Sequence, residues 1–251
     1  METRRIEEAS LNAWPALEQI LFDGWILRFS QGYTKRANSI NPLYPSLDLD
    51  IEGKIDACER LYACHELPAI FRLTPFASPP GLDRVLERRG YRLIDLTLVL
   101  YLDLTHWERQ PVHSAELQEE ELDGWLDIFC RFRGSPPNAH QTHRAILQAI
   151  PSGRVLHSLL VEGRVVACGL GVLEGDYFGL FDLITDPQSR RQGHGTQLVS
   201  NMLAWARSKG ARHAYLQVMI TNAPARRLYT KFGFQEAYRY WYRVPGTGGQ
   251  G

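Results

Sequence analysis

The stretch that most constrains the fold is "YFGLFDLITDPQSRRQGHGTQLVSNMLAWARSKG", residues 177–210. An apolar run of strand character ends at Asp186-Pro187 and passes through a polar turn holding Gly193 and Gly195. A segment follows whose apolar residues are Leu198, Val199, Met202, Leu203 and Ala206, the spacing of one helix face. Gly210 is placed to end that helix. The first N–H groups of a helix lack intrahelical partners and carry part of the helix dipole, so together they favour an anion. Glycines let the anion approach the backbone, and Arg190 and Arg191 add positive charge. A diphosphate is the natural guest. A glycine-rich turn with a purely structural purpose is the alternative.

The flanking sequence supplies a sheet for this unit. "RVLHSLLVE", "RVVACGLGVLEG" and "YFGLFDLIT" read as an antiparallel meander with turns at "EGR" and "EGD". "HAYLQVMI" is the next strand, "NAPARRLYTKFG" a short helix capped by Asn222 and stopped by Gly233, and "FQEAYRYWYRV" a last strand. Upstream, "SAELQEEELDGWLDIFCRF" and "AHQTHRAILQAI" read as two helices joined by "RGSPPN". The polar loop near 105–113 marks a boundary. The expected halves are residues 1–105 and 106–244, with a flexible tail at 245–251.

An internal comparison relates the two halves. A gapless shift that sets "LERRGY" on "YTKFGF" also sets "KIDACERLYACHEL" on "QLVSNMLAWARSKG" and "AIFRLTPF" on "RHAYLQVM". Identities are few, but the apolar classes and the breaks coincide. The reading is a degenerate tandem repeat; a shared β–α–β–α order arising by chance is the alternative. The same shift sets the glycine turn on "LDLDIE", residues 47–52, where Asp48, Asp50 and Glu52 would repel a diphosphate. One anion site is therefore expected, in the second half. The polar run "RANSINP" is either a lining segment for an acceptor or structural.

Composition excludes several classes. The chain has 251 residues, 44% hydrophobic and 22% charged, with formal net charge +0, so it carries no broad electrostatic footprint for nucleic acid. No run approaches the roughly 20 apolar residues of a membrane helix, and the charged N-terminus has no apolar signal core. A cytoplasmic location is expected. Cys58, Cys64, Cys130 and Cys168 lack CxxC spacing and read as buried free thiols. His140 and His143 have metal-ligand spacing but no third ligand nearby, so they read as surface histidines and no metal is expected. The acidic "AELQEEELD" reads as a solvated helix face rather than a lure for a cationic substrate.

Two motifs carry a resemblance. Pro187, Arg190, Gly193 and Gly195 match the [Q/R]-x-x-G-x-[G/A] turn of the GNAT superfamily of acyl-CoA-dependent N-acyltransferases. Asn222, Ala225, Leu228-Tyr229 and Gly233-Phe234 match its downstream signature. The stretch "DGWILRFSQGYTKRANSINP" also resembles the N-terminal region of bacterial tandem GNAT proteins. The resemblance implies an α/β (α+β) fold of two tandem GNAT-like halves with a mixed, mostly antiparallel central sheet and flanking helices. It also implies acetyl-CoA as co-substrate and transfer of its acetyl group to a primary amine of a small molecule or peptide. The partner would be that amine acceptor; whether a second copy of the chain joins it as a homodimer is left open by the sequence.

Residue by residue, the resemblance implies that Leu183, Ile184 and Thr185 offer backbone to the pantetheine arm. Arg190, Arg191, Gln192, Gly193, His194, Gly195 and Thr196 would hold the diphosphate, and Asn222 the thioester end, unless it is only a helix cap. Tyr229 would protonate or hydrogen-bond the leaving thiolate, unless it is only a core tyrosine. A thiol has pKa about 8.5 and a phenol about 10, so full transfer is uphill by roughly 2 kcal/mol. An amine of pKa near 10 is neutral about once in a thousand molecules at pH 7, so a carboxylate base would help. Asp182 is the first candidate for that base, with Glu174 and Asp176 behind it. No cysteine is placed for a covalent acyl-enzyme. Two alternatives stand: a non-catalytic acyl-CoA sensor, and an acetyltransferase of protein lysines or N-termini.

Overall fold

The computed structural model describes residues 2–47, 50–108 and 115–246. They form α1 (Glu2–Ala13), β1 (Glu18–Phe22), β2 (Trp25–Phe29), β3 (Ile40–Pro42), α2 (Ile51–Cys64), β4 (Phe71–Leu73), α3 (Leu82–Arg88) and β5 (Arg92–Asp103). These are followed by β6 (Glu116–Glu119), α4 (Leu122–Arg133), α5 (Gln141–Gln148), β7 (Gly153–Val161), β8 (Arg164–Glu174), β9 (Tyr177–Thr185) and α6 (His194–Ser208). The chain ends with β10 (His213–Met219), α7 (Ala223–Lys231) and β11 (Gln235–Val244). Residues 1, 48–49, 109–114 and 247–251, on which parts of the LDLDIE run, the expected boundary and the tail fall, lie outside the described residues.

The chain divides into two units. Unit one is Met1–Ala13, Val99–Val218 and Asn222–Ala237; unit two is Trp14–Leu98, Met219–Thr221 and Tyr238–Gly251. The cut differs from the expected halves at both ends, for a physical reason in each case. Helix α1 packs on β8 and β9, and Asn12 donates to Glu174 at 3.1 Å, so the N-terminus belongs with unit one. The end of β11 pairs antiparallel with β4, Trp241 opposite Leu73 and Arg243 opposite Phe71. Trp241 and Arg243 both donate to Asp83 at 2.8 Å, which fixes that end in unit two.

In unit one the strands run β6-β7-β8-β9-β10 and then the end of β5. The pairs are antiparallel from β6 to β9 and parallel between β9 and β10. The β7–β8 hairpin closes on Glu162 and Gly163, both at positive φ (51° and 75°), which is the two-residue geometry that matches strand twist. The expected apolar face of α6 is the one buried, with Leu198, Val199, Met202, Leu203 and Ala206 all inside. In unit two β1, β2, β3 and β4 are neighbours in that order, with β3 and β4 parallel as β9 and β10 are. Its core gathers Trp25, Leu27, Phe29, Ile40, Ile55, Tyr62, Phe71 and Tyr91. The elements that the internal shift superposes coincide: α2 falls on α6, β4 on β10, α3 on α7 and β5 on β11.

Three expectations are corrected. The acidic block is not one helix: Glu116–Glu119 pairs antiparallel with β7 and only Leu122 onward is helical. The β7 edge offers ladder partners to that backbone, which outweighs a run of good helix formers. His140 and His143 are not surface residues; both are buried. Cys64 is exposed, while Cys58, Cys130 and Cys168 are buried. The "RANSINP" run is internal: Asn38, Ser39 and Asn41 are buried, and Asn38 accepts from the Ser30 amide at 2.6 Å and donates to Thr34 O at 2.7 Å.

Candidate active site

Strand β9 changes character at its midpoint. Its parallel ladder with β10 runs from Tyr177–His213 to Leu180–Leu216. Its antiparallel ladder with β8 pairs Leu170 with Phe181 and Cys168 with Ile184, so Asp182 and Leu183 together oppose Gly169. This is a β-bulge, and Asp182 takes φ 46° to make it. A Cβ on Gly169 would lie 2.5 Å from Leu183 Cδ2, so the residue facing the bulge has no room for a side chain. The bulge re-aims the end of β9, and Leu183, Ile184 and Thr185 become one wall of a cleft of about 910 Å³.

The floor is the turn. A 3-10 turn at Pro187–Ser189 is capped by Asp186, whose carboxylate accepts from the Gln188 amide at 3.0 Å. The chain then reverses through Arg191 (φ 63°) and Gly193 (φ 84°) into the first turn of α6. Gly193 is the N-cap in the left-handed region, which glycine enters without strain. The opposite wall is the start of α7. Asn222 caps it, its side chain accepting from Ala225 N at 3.2 Å. Pro224, Ala225, Arg227, Leu228 and Lys231 complete the lining.

The structure brings into this cleft Leu183, Ile184, Thr185, Arg190, Arg191, Gly193, His194, Gly195, Thr196 and Asn222, all expected from the sequence. Gln192 is in the same turn but is not a lining residue. Arg227 and Lys231 were not foreseen; their i, i+4 spacing on one helix face is the signal that would have shown them. With Arg190 and Arg191 they give the cleft a cationic rim and no carboxylate in its lining. Such a cleft, with helix-start amides at its floor and exposed strand backbone in its wall, suits an extended anionic ligand with an amide-bearing arm.

Tyr229, on α7, is half-buried, with its ring 5.9 Å from Phe234. Burial pushes its phenol up to about 12. Asp182 accepts from or shares a proton with His143 Nε2 at 2.9 Å. His143 projects from α5, wholly buried against Trp125 and Phe129 of α4. On sequence alone this histidine reads as a surface residue; both it and His140 are buried. Among the described residues no cluster of three metal-ligating side chains exists. The other two carboxylates are engaged elsewhere. Glu174 takes Asn12 and Arg5, and Asp176 lies 3.5 Å from His213, both at the opposite end of β9 from the bulge.

Comparison with known proteins places this geometry. Residues 1–243 match the family described as "Probable histone acetyltransferase Rv0428c C-terminal". The chain is 29% identical over 250 residues to an uncharacterized N-acetyltransferase, YobR of Bacillus subtilis, covering 97% of this chain and 98% of that one. Its fold matches a GCN5-related N-acetyltransferase from Kribbella flavida (TM-score 0.74, 16% identity, 98% and 96% of the two chains). It also matches a tandem GNAT protein from the clavulanic acid biosynthesis pathway (TM-score 0.64, 11% identity, 85% and 76%). No helix among the described residues is long and apolar enough to cross a membrane. The chain belongs to the family described as "Probable histone acetyltransferase Rv0428c C-terminal", and its fold is the one seen in the GNAT structures.

Proposed function

We propose that the protein transfers the acetyl group of acetyl-CoA to the primary amine of a small molecule or peptide, by direct attack in a ternary complex. The observation that carries this reading is the cleft formed by the bulged end of β9, the glycine turn and α7. Its wall, floor and rim correspond in order to the pantetheine, diphosphate and remaining negative charge of the co-substrate. Leu183, Ile184 and Thr185 pair with the pantetheine amides. The amides of the turn, residues 190–196, hold the diphosphate, and Asn222 contacts the arm near the thioester.

Tyr229, next in sequence to the cleft-lining Leu228, is the group assigned to the leaving sulfur. A phenol at about 12 is a poor proton donor to a solvated thiolate, the gap being about 3.5 units. In the same dry site the thiolate loses its solvation too, which narrows the gap. Tyr229 therefore acts first as a hydrogen-bond donor, completing the proton transfer as the C–S bond breaks. Asp182 receives the proton of the attacking amine, directly or through one water. The first half is a degenerate copy of the second, supported by the coincidence of the shifted elements, and its sequence carries Asp48, Asp50 and Glu52 where the second carries the glycine turn.

Release of CoA thiol from acetyl-CoA tests the reading. The acceptors are spermidine, kanamycin, a hexapeptide beginning with alanine, and a lysine-bearing histone-tail peptide, the last because of the matched family's description. Stimulation by spermidine or kanamycin supports a small-molecule acceptor, and stimulation by a peptide supports a protein modifier. Tight acetyl-CoA binding with no stimulation by any acceptor would favour a sensor.

A further inference from the structure

We propose that His143 is the positioning residue of the base: it holds the Asp182 carboxylate at the bulge and shares the proton that Asp182 takes from the nucleophile, so that the pair and not a lone carboxylate does the work. This rests on the acetyl-transfer reading above. Three observations lead to it. Asp182 sits on the bulged residue next to the cleft wall, its backbone held at φ 46°. His143 Nε2 lies 2.9 Å from Asp182 Oδ2, and the imidazole is wholly buried while the carboxylate keeps part of its surface open. Trp125 and Phe129 box the imidazole in edge-to-face contact, at 6.1 Å and 5.1 Å, so it cannot turn away.

The chemistry explains why such a pair is useful. A carboxylate in water has a pKa near 4 and an alkylammonium near 10, a gap of about 6 units for proton abstraction. An imidazole in hydrogen-bond contact behind the carboxylate is a second basic group for the same proton, which a lone carboxylate lacks. Two groups in contact titrate as one coupled site. In the step, the amine nitrogen bonds to the thioester carbon, and its N–H proton passes to the Asp182–His143 pair. The C–S electron pair leaves on sulfur, which takes its proton from Tyr229. Solvent then collects the proton from the pair and returns one to Tyr229.

The groups facing the pair are known. His140 stands 5.8 Å from His143 and its own pKa is lowered, chiefly by desolvation and then by His143 and Arg133. On β8, Cys168 feels Asp182, Arg131 and Glu120, and burial pushes its thiol well above the ordinary range, so it stays neutral. Around His140, His143 and Arg133 disfavour a positive charge and Asp182 favours one.

Two measurements decide the matter. The first is CoA release from acetyl-CoA, with water and with spermidine as nucleophile, over pH 5–9 for His143→Gln. Glutamine keeps a donor for the carboxylate but cannot hold the proton. The expected result is a fall in kcat of roughly tenfold, an unchanged KM for acetyl-CoA, and an acid limb displaced to lower pH. A histidine that is only structural would be replaced by glutamine without change in that limb, and this result would overturn the proposal. The second leaves His143 in place: nitrogen-15 NMR titration of its imidazole in wild type and Asp182→Asn. Loss of the carboxylate should move the His143 titration to lower pH, and an unmoved titration would overturn the proposal. If acetyl-CoA neither binds nor is cleaved by wild type, the acetyl-transfer reading has failed, and the NMR result still reports on the pair.

Discussion

Gly193→Ala isolates the turn on which the site depends. A Cβ at this position would meet nothing within 4 Å, so no clash contributes. The penalty is conformational alone: φ 84° is a region where an L-residue is strained by about 1–2 kcal/mol. That strain has two outlets. If the turn keeps its shape, the folded state carries the penalty and stability falls by about 1–2 kcal/mol. If the turn relaxes in the free protein, acetyl-CoA must restore it, and Kd rises by roughly 5- to 30-fold. The two losses, expressed as free energies, should sum to the same total. Urea unfolding of the variant and calorimetric titration with acetyl-CoA measure both. A combined loss below about 0.3 kcal/mol would refute the claim that the left-handed cap shapes the site.

Other expectations concern single groups. Tyr229→Phe should lower kcat by roughly 100-fold while acetyl-CoA affinity stays within twofold, measured by CoA release and calorimetry. Because the Tyr229 phenol ionises at about 12, the wild-type rate should show no loss from its deprotonation between pH 8 and 10. Buried His157, its pKa lowered to about 4 by desolvation, is neutral in the fold while the unfolded chain takes up a proton below about 6.5. Its contribution is present above pH 6.5 and is lost as pH falls toward 4, amounting to about 3 kcal/mol; His157→Phe, packed against Trp205, should flatten that slope in urea titrations at pH 7 and pH 4.5. Arg227→Ala with Lys231→Ala should raise the acetyl-CoA Kd by roughly fivefold at low salt and by less at 0.5 M NaCl, since exposed charges are screened.

Much of the site was legible because its parts are local. The glycine turn, the apolar face of α6 and the Asn222 cap each follow from a short run of residues whose conformation is set by neighbours in sequence. What escaped was non-local. His143 meets Asp182 only after α5 packs on the sheet. The bulge at Asp182 depends on Gly169 one strand away, and no pattern along β9 reveals it. The edge strand at Glu116–Glu119 reads as helix until β7 offers it a ladder. The two units are divided elsewhere than the expected halves because α1 and the end of β11 find their partners far along the chain, Glu174 and Asp83 among them.

Hydrogen–deuterium exchange with and without acetyl-CoA tests the central claim most directly. Binding at the helix-start amides should slow exchange in residues 183–196 and 222–231 and leave the rest of unit one unchanged. Protection confined to other segments, or none at saturating acetyl-CoA, would contradict the account.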